Sequence, residues 1–204
     1  MLSSARCFGS TLAIASALVG SAAAQSAQKA SLQVSLLGAS LSGEEFTGWG
    51  TGTGFEAQVR YNPSAFSIGG GFQLTKHSLE DFTEKVSLGG VFVEPRYVIP
   101  TKSNKAAPYL AARVSILRES GSFDATAGKV DVSASGLTLN GGGGVLIRLA
   151  RTLNLDLGLT FGRTNFGTPT VKLNGQTVAI PELEGKRSGS SVIFRAGIAV
   201  GLGK

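Results

Sequence analysis

TLNLDLGLTFGR, residues 152–163, sets Leu153, Leu155, Leu157, Leu159 and Phe161 against Asn154, Asp156, Gly158, Thr160 and Gly162. Such alternation makes a strand with one apolar and one polar face. A soluble sandwich turns the leucines inward, whereas a membrane barrel turns them outward. The wet face of this one strand therefore decides the fold, and the rest of the chain supplies the choice.

The opening stretch, MLSSARCFGSTLAIASALVGSAAAQ, has one charge at Arg6, an apolar run from Thr11 to Gly20 and small residues Ala22 to Ala24 before Gln25. This is the layout of a cleaved export signal, expected over residues 1–24, with residues 25–204 as the mature domain. The apolar run is shorter than the ~20 residues that a spanning helix needs. Cys7, the only cysteine, lies inside the signal, so the mature chain offers no disulfide, zinc site or thiol nucleophile, and no cofactor is implied. Lysine and arginine number 19 against 13 aspartates and glutamates, but they are scattered, with no run longer than Lys186-Arg187. That distribution in an exported chain argues against a nucleic-acid partner.

Eight segments alternate with a period of two: 31–41, 54–62, 66–77, 86–99, 108–118, 136–149, 152–163 and 191–203. Most are long enough to cross a bilayer as tilted strands of about 9–11 residues. Two break phase. Leu37, Ala39 and Leu41 oppose the parity of Leu32, Val34 and Leu36, while Val86 and Leu88 share parity with Glu94 and Arg96. A bulge near Gly38 and another near Gly89-Gly90 would restore one apolar face, so bulges are predicted there.

The connections alternate in length. Pro63-Ser64-Ala65, PTKSNKAA (100–107) and Ala150-Arg151 are short; SGEEFTGWGTGT (42–53), SLEDFTEK (78–85), the region around 120–135 and the stretch before 191 are longer. Short turns at one end and long loops at the other, with a periplasmic N-terminus, describe an outer-membrane barrel. Aromatics support it: Phe55, Phe161 and Phe194 lie toward the long-loop end, and Tyr61, Phe66 and Tyr97 toward the short-turn end, as two interfacial belts. The leucines of 152–163 are thus expected to face lipid. Asn174-Gly175, between short β-prone arms, predicts a type I′ hairpin standing above the membrane, with the strands around Phe123 to Val132 extended outward beside it.

GGVFVEPRYVIP (89–100) leading into APYLAARVSI (107–116), and GGGGVLIRLARTLNLDLGLTFG (141–162) with its tight turn, resemble the eight-stranded outer-membrane barrels that include OmpA-like and OmpX-like domains. The resemblance covers the mature chain and implies an all-β, eight-stranded, antiparallel up-and-down transmembrane β-barrel of the bacterial outer membrane. It also implies a monomer inserted by the outer-membrane assembly machinery and in contact with outer-membrane lipid and lipopolysaccharide. One departure is the ending Gly201-Leu202-Gly203-Lys204 where such barrels finish on an aromatic; Phe194 is the nearest candidate for that signal.

A barrel of eight strands is wide enough only for side chains to fill. Glu56, Arg60, Glu94, Arg96, Arg113, Arg148, Asp156 and Arg195 fall on the polar faces at mid-strand and are the expected lumen network. Buried arginines require carboxylates, so Glu94 is paired with Arg113 and, second, Asp156 with Arg148. The role expected is structural or surface-interactive, with the long loops, including Glu44, Glu45, Phe46, Trp49 and Phe123, offered to an extracellular partner. A narrow porin-like pore is the alternative, and a lipid A-modifying enzyme a third reading. Against the enzyme, His77 and Ser78 are adjacent and so point to opposite faces. The four glycines 141–144 lack the Lys-Ser/Thr pair and helix of a phosphate loop, and are read instead as room for lumen neighbours such as Arg96 or Arg113.

Overall fold

The computed structural model describes residues 28–204 apart from 81–82, 127, 180–184 and 203–204. The predicted signal, with Cys7, lies outside the described residues. The elements are β1 (Ala30–Ser42), a 3-10 turn (Glu44–Phe46), β2 (Gly52–Tyr61), β3 (Phe66–Ser78), β4 (Lys85–Val98), β5 (Ala106–Ala125), β6 (Gly128–Arg148), β7 (Leu153–Phe166), β8 (Thr170–Leu173), β9 (Gln176–Val178) and β10 (Arg187–Leu202). Strands β1 to β7 and β10 pair antiparallel with their neighbours, and β10 returns to β1, closing a ring of eight.

The geometry of that ring follows from the registers. Leu32 pairs with Val59, Val59 with Gly70, Gly70 with Val93, Val93 with Val114, Val114 with Leu139, Leu139 with Arg163, Arg163 with Ser190, and Ser190 with Ser42. One circuit thus returns to β1 ten residues above its start, which is the shear of the barrel. At roughly 3.3 Å per residue and 4.8 Å between strands, this corresponds to a tilt of about 41° and a backbone radius of about 8 Å. Side chains from opposite walls meet across such a bore.

The outer wall is apolar. Leu32, Val34, Leu36, Phe55, Val59, Phe72, Val91, Val93, Ile116, Leu159, Phe161 and Phe194 are all exposed. On β3 this skin runs from Phe66 to Leu74, eight rises, or about 20 Å along the axis of a strand so tilted. The leucines of TLNLDLGLTFGR lie on this wall, while Asn154, Asp156 and Thr160 are buried in the lumen. Exposed Phe55, Phe161 and Phe194 mark the upper margin and Tyr61 and Phe66 the lower.

The two predicted bulges are absent. β1 pairs with β10 without a break from Ala30 to Ser42, and β3 with β4 from Phe66 to Ser78. Leu37, Ala39, Leu41, Val86 and Leu88 therefore point inward, each less than 8% exposed. The phase change in the sequence marks where hydrophobic side chains of β1 and β4 join the lumen, with the strand itself regular.

β8 and β9 form a hairpin outside the ring. Asn174 (φ 49°) and Gly175 (φ 86°) occupy the two positive-φ positions of its turn, as a type I′ turn requires. The hairpin docks on the upper part of β6, where Val130 pairs with Leu173 and Ser133 with Thr170. β5 and β6 continue together to the Ala125–Gly128 pair, beyond the last partners that β4 and β7 offer at Ser120 and Gly136. A four-stranded sheet, β5-β6-β8-β9, so rises from one side of the barrel.

Candidate functional site

The long-loop half of the lumen and its short-turn half are built from different residues. In the short-turn half, side chains from seven of the eight ring strands converge. Glu94 (β4) lies at the centre. Its Oε1 takes Arg60 Nη2 at 2.9 Å and Arg96 Nε at 2.6 Å, and its Oε2 takes Arg113 Nη2 at 2.7 Å and Arg195 Nη1 at 2.8 Å. Glu56 (β2) takes Arg113 Nη1 at 2.7 Å and lies 3.5 Å from Arg195 Nη1. Asp156 (β7) takes Arg96 Nη1 at 2.9 Å, Gln33 Nε2 at 2.7 Å and the hydroxyl of Tyr109 at 2.6 Å. β3 contributes Gln73, whose Oε1 accepts from Arg113, and Ser67, whose hydroxyl accepts from Arg60.

Seven of the eight polar residues singled out in the sequence are thus brought together. The four guanidinium groups face three carboxylates, and all seven side chains are at most 5% exposed. The eighth, Arg148, ends β6 at the short-turn mouth, opposite Asn154 and half-buried. The carboxylate assigned to it, Asp156, is instead occupied by Arg96, Gln33 and Tyr109, with Arg195 Nε at 3.6 Å. The tilt of the strands explains this. Arg148 is displaced two residues along its strand from the position opposite Asp156, which Leu146 fills.

Several members were not singled out from sequence. Tyr109 donates to Asp156, accepts from Arg195 Nη2 at 2.9 Å and carries Arg96 4.4 Å above its ring. Phe92 faces inward beneath Arg113, 4.0 Å from ring centre to guanidinium carbon. Both share the parity of an assigned charge, Tyr109 with Arg113 and Phe92 with Glu94, and that parity was the signal available. Glycines make the space. A Cβ on Gly144 would lie 2.4 Å from the Tyr109 hydroxyl, and one on Gly158 2.6 Å from it and 2.8 Å from Arg195 Nε. The glycine run of β6 therefore accommodates Tyr109 and not Arg96 or Arg113.

Above this layer the lumen is mixed, with buried Thr75, His77, Glu119, Thr138, Asn140, Thr164 and Ser191 beside two apolar clusters. Leu37, Ala39 and Ile193 form one cluster, and Leu41, Phe46, Leu88, Leu117, Ala134 and Phe166 another, with Trp49 packed on it. Phe46, from the 3-10 turn, inserts edge-on to Trp49 at 5.4 Å and lies 6.2 Å from Phe166. Phe46 is therefore buried beneath the mouth and, contrary to expectation, is not offered to an outside partner, while Trp49 packs on it half-buried. Below the charges, Val98, Ala107, Tyr109, Ala111 and Leu146 close the other end. His77 hangs among the upper residues, its Nε2 3.1 Å from the Thr75 hydroxyl and its Nδ1 3.2 Å from the Gly50 carbonyl, while Ser78 is exposed on the outer wall. Among the described residues, no group of three metal-ligating side chains occurs.

A closed antiparallel ring with an apolar skin and a charged, side-chain-filled interior defines an integral membrane β-barrel. The chain belongs to the outer membrane protein beta-barrel domain family, whose model matches residues 10–181, and its place is the bacterial outer membrane. Solved structures with the same fold include Neisserial surface protein A, at 19% identity and a TM-score of 0.60, covering 85% of this chain and 97% of that one. OprG from Pseudomonas aeruginosa aligns at 10% identity and a TM-score of 0.50, over 85% and 96%. Ail of Yersinia pestis, solved with the heparin analogue sucrose octasulfate, aligns at 12% and 0.50, over 83% and 96%. No curated protein matches the sequence.

Proposed function

We propose that the protein is a non-conducting, non-enzymatic barrel that presents the β5-β6-β8-β9 sheet at the cell surface to an extracellular partner. The observation that carries the reading is the contrast between the two parts of the molecule. Apolar clusters flank the ion-paired layer on both sides, and the charged side chains of that layer are at most 5% exposed, which supports a lumen closed to solutes. The surface sheet, in contrast, ends on β9, whose Gln176, Thr177 and Val178 are all exposed. An edge strand leaves backbone N–H and C=O groups free to pair with an extended segment of another protein. Lys129 and Lys172, also exposed, border the same sheet.

Two measurements test this. Purified protein in planar bilayers should show no stable single-channel steps; a reproducible conductance level would replace the reading with the narrow pore. Cells displaying the protein should adhere to immobilised host-matrix and serum proteins, and deletion of residues 168–184 should abolish that adherence while leaving a heat-modifiable barrel. Undiminished adherence after the deletion would remove the hairpin from the function.

A further inference from the structure

The charged layer of the lumen does not balance. Arg60, Arg96, Arg113 and Arg195 face Glu56, Glu94 and Asp156, which leaves one positive charge over in a layer whose charged side chains are at most 5% exposed. Two nearby groups that could redress it are committed elsewhere. The Tyr109 hydroxyl donates to Asp156 at 2.6 Å and so keeps its proton, and Glu119 pairs with Arg187 toward the long-loop end. An uncompensated charge in a low-dielectric interior is costly until a counter-charge joins it.

The hydrogen bonds locate the excess. Arg60 Nη2 and Arg96 Nε both donate to Glu94 Oε1, at 2.9 and 2.6 Å, so two guanidinium groups share one carboxylate oxygen. Each keeps one buried N–H without an acceptor among the described residues, Arg60 Nε and Arg96 Nη2. Their other nitrogens are engaged, Arg60 with Gln58, Ser67 and the Glu94 carbonyl, and Arg96 Nη1 with Asp156. Arg113 Nη2 and Arg195 Nε, in contrast, already lie 2.7 and 3.6 Å from carboxylate oxygens. Nε and Nη2 occupy one edge of the rigid guanidinium fork, so both unused N–H groups lie on edges turned toward Glu94 Oε1 and converge from β2 and β4. A water molecule would satisfy the two donors and leave the charge; an anion, which only accepts, meets both deficits. Space limits its size. A Cβ on Gly69 would lie 2.7 Å from Arg60 Nη2 and 2.5 Å from Gln58 Oε1, so the wall beside Arg60 is already in contact and favours a monatomic ion.

We propose that the lumen binds one halide ion, chloride under ordinary conditions, against Arg60 Nε and Arg96 Nη2, as the counter-ion that neutralises the charged layer. The ion enters as the barrel closes and is held there by the apolar clusters on either side of the layer. It links β2 to β4 across the intervening β3. The site owes nothing to the surface sheet, so this proposal and the adherence proposal stand or fall separately.

The test is urea titration of the detergent-folded mature protein in sodium chloride, sodium bromide or sodium gluconate at equal ionic strength. An ion bound only by the folded barrel should raise the unfolding midpoint by about 0.7 M for each tenfold increase above its dissociation constant. Chloride and bromide should do so, and gluconate, too large for the lumen, should not. Gln58→Glu supplies the fourth carboxylate on a side chain that already lies 2.9 Å from Arg60 Nη2. This variant should be more stable than wild type in gluconate and should lose the chloride dependence, a gain that misfolding would not produce. Crystals grown in bromide should show an anomalous peak within hydrogen-bond reach of Arg60 Nε and Arg96 Nη2. The proposal is overturned by equal wild-type midpoints in chloride and gluconate, by an undiminished chloride dependence in Gln58→Glu, or by bromide found as an adventitious surface ion only.

Discussion

Glu94→Gln is the perturbation that most directly probes the lumen. The substitution keeps the side chain's shape and removes its charge from beneath four guanidinium groups, at 2.6 to 2.9 Å. Four arginines would then face two carboxylates in a layer that neither end of the barrel exposes to water. Removing one partner of a buried ion pair costs about 3–5 kcal/mol, because the remaining charge stays buried and uncompensated. With a urea dependence of about 2 kcal/mol per molar, the unfolding midpoint should fall by roughly 2 M. The assay is urea titration of the detergent-folded protein, read by the gel mobility difference between folded and heated forms. Asp131→Asn is the control. Its carboxylate lies 3.8 Å from Lys129 at the surface, where the two side chains are 41% and 60% exposed, so a loss of no more than about 1 kcal/mol, or 0.5 M, is expected. A second arm adds Arg195→Met to Glu94→Gln. The double variant should cost less than the sum of its parts by more than about 1 kcal/mol, since the methionine relieves the excess positive charge. A midpoint within 0.5 M of wild type for Glu94→Gln would refute the view that this network holds the barrel together.

Gly158→Ala places a methyl group against Tyr109 and Arg195; overpacking of this kind costs about 1–3 kcal/mol, which should appear as a lower temperature of mobility change. Phe46→Ala should remove the ring against which Trp49 packs, and because Trp49 is the only tryptophan, its emission should shift to the red while the barrel stays folded. An unshifted emission would contradict the packing of Trp49 on Phe46. Leu159→Arg, on the lipid face near mid-membrane, should cost about 2–4 kcal/mol, whereas Ser190→Arg, on the same outer wall at the rim, should cost about 0–1 kcal/mol. Equal costs at the two positions would contradict the assigned depth of the membrane.

Alternation determined much of this protein directly. The two faces of 152–163, the even number of long strands, the short and long connections and the Asn174-Gly175 turn are local patterns. Each follows from the two-residue repeat of a strand or from the φ values a turn demands. The same parity placed Glu56, Arg60, Glu94, Arg96, Arg113, Asp156 and Arg195 on the inner face. Strand height paired Glu94 with Arg113, which do meet, but left the other partners open. Asp156 is met by Arg96 and Tyr109 and not by the assigned Arg148, because a shear of ten residues carries each strand's charges up or down relative to its neighbours. Register across eight strands is a property of the closed ring and of no single segment.

The phase breaks at Gly38 and Gly89 show the same division from the other side. From sequence they implied irregular backbone; in three dimensions the backbone is regular and the lumen takes in hydrophobic side chains, because Leu41, Leu88, Leu117 and Phe166 come together from four separate strands and Phe46 from a loop. Hydrophobic residues on the supposedly wet face are stable only when enough of them converge at one height to exclude water. The sequence by itself determined which face each residue occupies. Tertiary structure decided the height at which each lies around the ring, and with it the ion pairs and the apolar clusters.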